Sequence, residues 1–297
     1  MSVPTVVLRD MEENFPHGRK PAKLRERASL VKDKRVKELL LNLSRGIKRI
    51  RIDKTLDELL YSRDNASKAL LLIALYYPVV LSSKNPTDPE AASMLLDSRI
   101  ILQKAGLKKA AENVSKELRK LGRLLIGAIS EVAEEEYAKQ AARAAIEIGK
   151  ATGDEYLKAF GIELLRALGE NIDEEYELEE EEKLEVLMAV GAALITLGRF
   201  EEVKSMMERI DIPHAQFIRA IAAILSDDRP TRGSSVTKLE SMEGPEAKFF
   251  RELLEAVRCA YIGDEKGFSE AIKKARELLG EVPELVGVLE FIEKLKA

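Results

Sequence analysis

The chain has 297 residues, 34% of them charged and 5% aromatic, with no Trp and a single cysteine that excludes an internal disulfide. That length can bury a large core, and the wealth of Leu, Ala, Ile, Glu, Lys and Arg is helix composition, because straight-chain residues lose little rotamer freedom there. The net charge of −4 conceals an asymmetry: residues 1–130 carry 26 Lys and Arg against 15 Asp and Glu (+11), residues 131–297 carry 22 against 37 (−15).

Val3–Leu8 is the one strand-like run, and a lone strand has no partner. Arg9, Asp10, Glu12 and Glu13 follow it too soon for the apolar region of a signal peptide. Pro21 fits the first turn of a helix running toward Leu43, with Val36, Leu40, Leu43 and Ile47 on one stripe. From Arg19 to Arg51 the chain holds 13 Lys and Arg against three acids. If this helix is continuous, Lys23, Arg27, Lys34, Arg45 and Lys48 share a face, and Arg49 completes a basic patch. That patch reads either as a solvated helix face or as a site for nucleic acid, an acidic protein or the chain's own acidic half. Phe15 and Tyr61 only flank it, which disfavours base stacking. The most apolar run, Ala69–Leu81, has 13 residues and contains Pro78. A membrane span needs about 20, so a buried core helix is predicted.

Asp88-Pro89-Glu90 starts a helix that Gly106 ends. Ser130, Glu131 and Glu134 open another that reaches Ala151, and Gly153-Asp154 turns into a helix over 155–168 stopped by Gly169. Asp173–Glu182 places eight acids in ten residues. It lacks the central Gly of a calcium loop and suits the positive end of the next helix dipole, so it reads as a solvated helix start or a docking site for a basic partner. Helices follow over 183–197, 199–210, 213–226, 245–262, 265–279 and 283–296. The Pro-, Gly- and Ser-rich Asp227–Ser235 reads as a loop before a short helix over Val236–Met242. Cys259, among Leu253, Leu254, Val257 and Ala260, reads as a buried hydrophobe, and such cysteine usage fits a reducing, cytoplasmic setting. The scarcity of Asn and Gln beside abundant Glu, Lys and Arg matches the heat-adapted pattern of a thermophile.

Short links force neighbouring helices to run antiparallel, and a series of such hairpins is the mark of a helical solenoid. Leu187, Val190, Gly191, Leu194, Gly198, Phe200, Val203, Met207 and Ile210 together resemble a tetratricopeptide repeat. The resemblance extends more loosely to Ala141–Leu168 and Leu253–Leu279, hence over roughly 140–280, and Phe200 and Phe268 stand 68 residues apart, two repeats of that family. It departs from the family where Val203 and Ile210 replace small residues. The resemblance implies that Gly191 allows close packing, that Gly198 turns the chain and that Phe200 fills the gap between the two helices. It also implies a peptide-binding inner face made of Glu185, Met188, Ala192 and Ile195, with Leu187, Val190, Gly191 and Leu194 on the packing face.

Catalytic signals are missing. His17 and His214 have no second His or Cys at ligand spacing, and neither phosphate-binding glycine loops nor the nucleophile elbow occurs. The expectation is an all-α α-solenoid: a basic half over 1–129 and an acidic helical-repeat half over 130–297, packed as one array. Its expected role is that of a non-catalytic scaffold or adaptor for an unidentified protein partner, without cofactor or metal. The alternative is a nucleic-acid-associated protein acting through the basic N-terminal helices.

Overall fold

A computed structural model describes residues 3–16, 21–45 and 55–294 of the chain. Of these, 80% are helical and none is in a strand. The chain forms two compact units. The first comprises Met1–Val132, Glu136–Leu165 and Asn171–Glu177; the second comprises Ala133–Glu135, Arg166–Glu170 and Leu178–Ala297.

In the first unit the strand-like N-terminal run is helix α1 (Val3–Asn14), which buries Val7, Leu8 and Met11 on one stripe. The helix expected from Pro21 to Leu43 is two helices, α2 (Pro21–Leu30) and α3 (Lys34–Ser44), packed as a hairpin. Asp33 causes the break. Its Oδ1 accepts the amides of Arg35 at 2.9 Å and Val36 at 3.3 Å, capping a new helix, which is worth about 1 kcal/mol. Folding back lets Leu24, Ala28, Val31, Val36 and Leu40 all enter the interior.

Helices α4 (Thr55–Tyr61), α5 (Asn65–Ala74) and α6 (Tyr76–Lys84) follow. Asp64 caps α5 through the Ser67 amide at 2.9 Å, and the Ser62 and Ser67 hydroxyls hold its carboxyl well below the usual carboxylate range. Leu70, Leu71, Leu72 and Ile73 are all buried, so α5 is covered on every side. The apolar run predicted as one core helix is divided at Leu75 between α5 and α6. Pro78 has no N–H to return to the Ala74 carbonyl, and it is accommodated in the first turn of α6. Residues 65–84 are the one stretch among those described with the length and apolarity to cross a membrane, and 56% of its window is buried in the fold.

Helices α7 (Pro89–Lys104) and α8 (Lys108–Val132) form a hairpin around Gly106. Helix α8 runs through Ser130, where a helix start was expected, and ends at Ala133 with φ 53°. Helices α9 (Glu135–Thr152) and α10 (Glu155–Ala167) are joined by the predicted Gly153-Asp154 turn, in which Asp154 caps α10 through the Leu157 amide at 3.2 Å.

The second unit is a succession of hairpins: α11 (Glu180–Thr196) with α12 (Phe200–Met207), α13 (Pro213–Leu225) with α14 (Arg229–Ser241), and α15 (Pro245–Ile262) with α16 (Glu265–Leu278). The first helices are neighbours, α11 on α13 and α13 on α15, and α12 and α14 each pack on the first helix of the following hairpin. A 3-10 turn at Pro283–Leu285 leads to α17 (Val286–Lys294), which packs on α15 and α16. All three hairpins turn by one device. Gly198, Asp227 and Gly263 adopt φ of 70°, 52° and 74°. The next amide then reaches five residues back, Arg199 to Leu194 at 2.9 Å, Asp228 to Ala223 at 2.8 Å and Asp264 to Cys259 at 2.8 Å. Bonds of this kind satisfy carbonyls that a helix end would leave orphaned. The stretch Asp227–Ser235, expected as a loop, is largely the start of α14. Asp228 accepts the Thr231 amide at 3.1 Å, and Pro230 sits in the first turn, where no N–H is required.

Candidate functional site

On α11 the residues of the expected peptide-binding face divide. Glu185 and Ala192 are exposed, Ile195 is half-buried, and Met188 is 6% exposed. Val190, Gly191 and Leu194 are buried and Leu187 is half-buried. Gly191 is the close approach of this hairpin array: a Cβ there would lie 2.5 Å from Met207 Cε of α12 and 3.3 Å from Ile218 Cγ2 of α13. Phe200 is half-buried.

In the second unit a groove of about 690 Å³ lies between α14 and α15. Each helix contributes one i, i+3/i+4 stripe to it: Arg232, Val236 and Glu240 from α14, and Arg251, Leu254, Arg258 and Ile262 from α15. Ile224, Leu239 and Leu254 form a buried apolar floor, while Ile262 at one end is 64% exposed. Gly233 leaves the α14 wall open, since a side chain there would meet nothing within 4 Å. Arg258 is occupied by a two-point pair with Glu255, at 2.8 Å and 2.5 Å, which lowers the Glu255 carboxyl below its usual range. Arg251 only donates to the Glu240 carbonyl at 3.3 Å, and Arg232 has no ion pair among the described residues. Two weakly engaged guanidinium groups over an apolar floor suit a segment that carries carboxylates beside apolar side chains.

The basic patch expected near the N-terminus does not lie on one helix, because α2 and α3 are separate. Lys23 stands in the first turn of α2, and Lys48 and Arg49 lie outside the described residues. Arg27 is ion-paired to Asp10 of α1 and so fastens α2 to it. Lys34 and Arg45 are exposed at opposite ends of α3. A row of exposed cations on α8, which sequence reasoning overlooked, is the longer basic feature of this unit. Its signal was the spacing of Lys109, Lys116, Lys120 and Arg123.

The acidic run begins outside any helix and enters the first turn of α11. Glu174 pairs with Lys150 at 2.7 Å, and the Glu179 amide donates to Glu182 Oε2 at 3.3 Å. His17 lies outside the described residues. His214 stacks on Phe250 at 4.9 Å between ring centres, and burial pushes its pKa down to about 4. Cys259 is buried, and burial together with the carboxylate of Glu255 raises its thiol pKa. Among the described residues no group of three or more His, Cys, Asp or Glu is placed to hold a metal ion. Comparison of the chain with protein-family models, curated proteins and solved structures returns no match.

Proposed function

We propose that the chain is a non-catalytic, cytoplasmic protein-interaction scaffold whose second unit is a tetratricopeptide-like solenoid. The observation that carries this reading is the open groove between α14 and α15, with its buried floor of Ile224, Leu239 and Leu254 and its lightly engaged Arg232 and Arg251. Successive hairpins with first helices side by side support it, because each hairpin leaves a face that only the next one covers. The half-open α11 face with Glu185, Ala192 and Ile195 is a second contact surface on the same array.

The test is affinity purification of the tagged full chain from its native cells, with quantitative mass spectrometry of what it retains. Arg232→Glu combined with Arg251→Glu should release a specific subset of retained proteins by about tenfold or more, as removal of interfacial charge contacts does. A chain that retains the same proteins with both arginines reversed has no partner at this groove. Generic RNA or DNA bound with steep salt dependence, and lost on reversal of Lys34 and Arg45, would replace the scaffold reading with the nucleic-acid one.

A further inference from the structure

The solvent side of α8 carries a cationic stripe. Taking about 100° and 1.5 Å per residue, Lys109, Lys116, Lys120 and Arg123 fall within roughly 60° of arc and span about 21 Å. All four are exposed. Lys116 has no ion pair among the described residues, and Lys109 is 3.8 Å from Glu13. Lys120 pairs with Glu117 one turn away at 3.1 Å, an exposed pairing of a kind worth under about 1 kcal/mol. Arg123 lies 3.7 Å from Asp154 and over the Tyr156 ring. Among the described residues of α8 from Lys109 to Arg123, Glu112 at one edge of the stripe is the one exposed acid, and the half-buried Glu117 lines the adjoining groove.

Directly beside this stripe the first unit opens an apolar groove of about 470 Å³. Val79 and Val80 of α6 form one wall, Leu121 and Leu124 of α8 the other, and Lys120 belongs both to the rim and to the stripe. Leu124 is 50% exposed and both valines are half-buried. Apolar surface left in water costs about 25 cal/mol per Å², so an amphipathic segment gains by covering it. The wall meets the cations at Lys120; the lining from Glu117 to Leu124 covers about two helical turns, and the stripe beside it about four.

We propose that this groove receives one amphipathic helix of a partner protein, with its apolar side between α6 and α8 and an acidic flank against Lys116, Lys120 and Arg123. Charge complementarity and length select this occupant: carboxylates spaced three, four and seven residues apart on a helix match the stripe. A bilayer is a poorer fit, since the buried Leu95 and Leu121 line a concavity that a flat surface does not enter. Nucleic acid leaves the apolar walls unused, with Tyr76 the one aromatic ring in the lining.

The experiment is a display selection on the immobilised full chain. Its library encodes helices of about 18 residues with apolar residues fixed at i, i+3, i+4 and i+7 and the other positions randomised. The expected pool is enriched in Asp and Glu on one flank of the apolar stripe. Its best peptide should bind at least about tenfold more weakly to Lys116→Glu/Lys120→Glu and to Leu124→Glu. All three positions are exposed, so both variants should keep the helical circular dichroism and melting temperature of the parent. Exchanging the peptide's acids for Lys should restore binding to the lysine-reversed variant. No enrichment, a pool without acidic bias, or equal binding to the variants overturns the proposal. So does binding of phosphatidylserine-containing vesicles or of RNA that needs the lysines and ignores Leu124→Glu.

Discussion

A side-chain carbon on Gly161 of α10 would fall against the carbonyl oxygen of Ala142 in α9, and 2.7 Å from Ile146 Cγ1. The two helices are therefore locked at a separation that only glycine permits. Gly191 of α11 is equally crowded, but its neighbour at 2.5 Å is Met207 Cε, the free end of a flexible side chain. Replacing a helical glycine by alanine gains about 1 kcal/mol of backbone entropy. At Gly161 a backbone clash costing about 1–3 kcal/mol outweighs that gain, whereas at Gly191 a rotation of Met207 leaves the balance near zero. Gly161→Ala should thus lower the unfolding midpoint in urea, and Gly191→Ala should leave it nearly unchanged. Equal shifts for the two would contradict the packing described for α9 and α10.

Lys204 of α12 is 8% exposed and meets Asp228 Oδ2 at 2.7 Å and Glu201 Oε1 at 2.6 Å. Burial disfavours its ammonium, but the hydrogen bonds to Asp228 and Glu201 prevail and raise its pKa. The same bond, with the Thr231 amide, pulls the Asp228 carboxyl from 3.8 down to about 2. An acid whose pKa is depressed by folding stabilises the fold above its unfolded value, and that contribution is lost as pH falls through the folded one. Asp228→Asn keeps an acceptor for Thr231 and removes the charge opposite Lys204. It should lower the melting temperature at neutral pH, and its difference from the parent should shrink as pH falls from 3.8 toward 2. A difference that stays constant across that window would show that the ion pair is not its source.

Where sequence and structure part, the cause is local chemistry that competes with pattern. Gly106, Gly153, Gly198 and Gly263 announce their turns because each adopts a positive φ that other residues avoid. Asp227 does the same without being glycine; the break after 226 is legible, but Pro230 and Gly233 make the start of the helix after it look like a loop. Asp33 is one acid among many, yet it divides the basic N-terminal helix and separates residues that seemed to share a face. Met188 shows the limit for sites. Periodicity places it opposite Val186 and Val190, but whether that side is open depends on distant segments, and here Met188 is buried.

His214, in the first turn of α13, is held neutral by its surroundings. Burial carries its pKa from 6.5 to about 4, and its ring stacks on Phe250. Because the unfolded chain takes up the proton more readily, the neutral ring stabilises the fold fully above 6.5. That stabilisation drains away as pH falls from 6.5 to 4. His214→Phe preserves a ring for Phe250 and cannot be protonated, so the stability of the variant should vary less over this interval. Resonances of the His214 imidazole should show no titration until well below 6.5. A ring that titrates near 6.5 in the folded chain would refute the buried stack.

The two most informative substitutions on α11 are Met188→Glu and Ala192→Arg, because they address one face with opposite consequences for the fold. Met188 is 6% exposed, so a glutamate there must either be buried unpaired or force the helix outward, at a cost of several kcal/mol. Loss of binding by that variant would therefore report unfolding as readily as a lost contact. Ala192 is exposed, and Arg is a good helix former, so its substitution should change stability by less than about 0.5 kcal/mol. Thermal unfolding of both variants is the first measurement, with a marked drop for Met188→Glu and none for Ala192→Arg. Retention of partner proteins by Ala192→Arg is the second. If the α11 face is a binding surface, a long cation at its centre displaces the partner and the retained set changes while the melting temperature does not. An unchanged set would leave the groove between α14 and α15 as the contact surface of the second unit, where Arg232→Glu and Arg251→Glu remain the decisive pair.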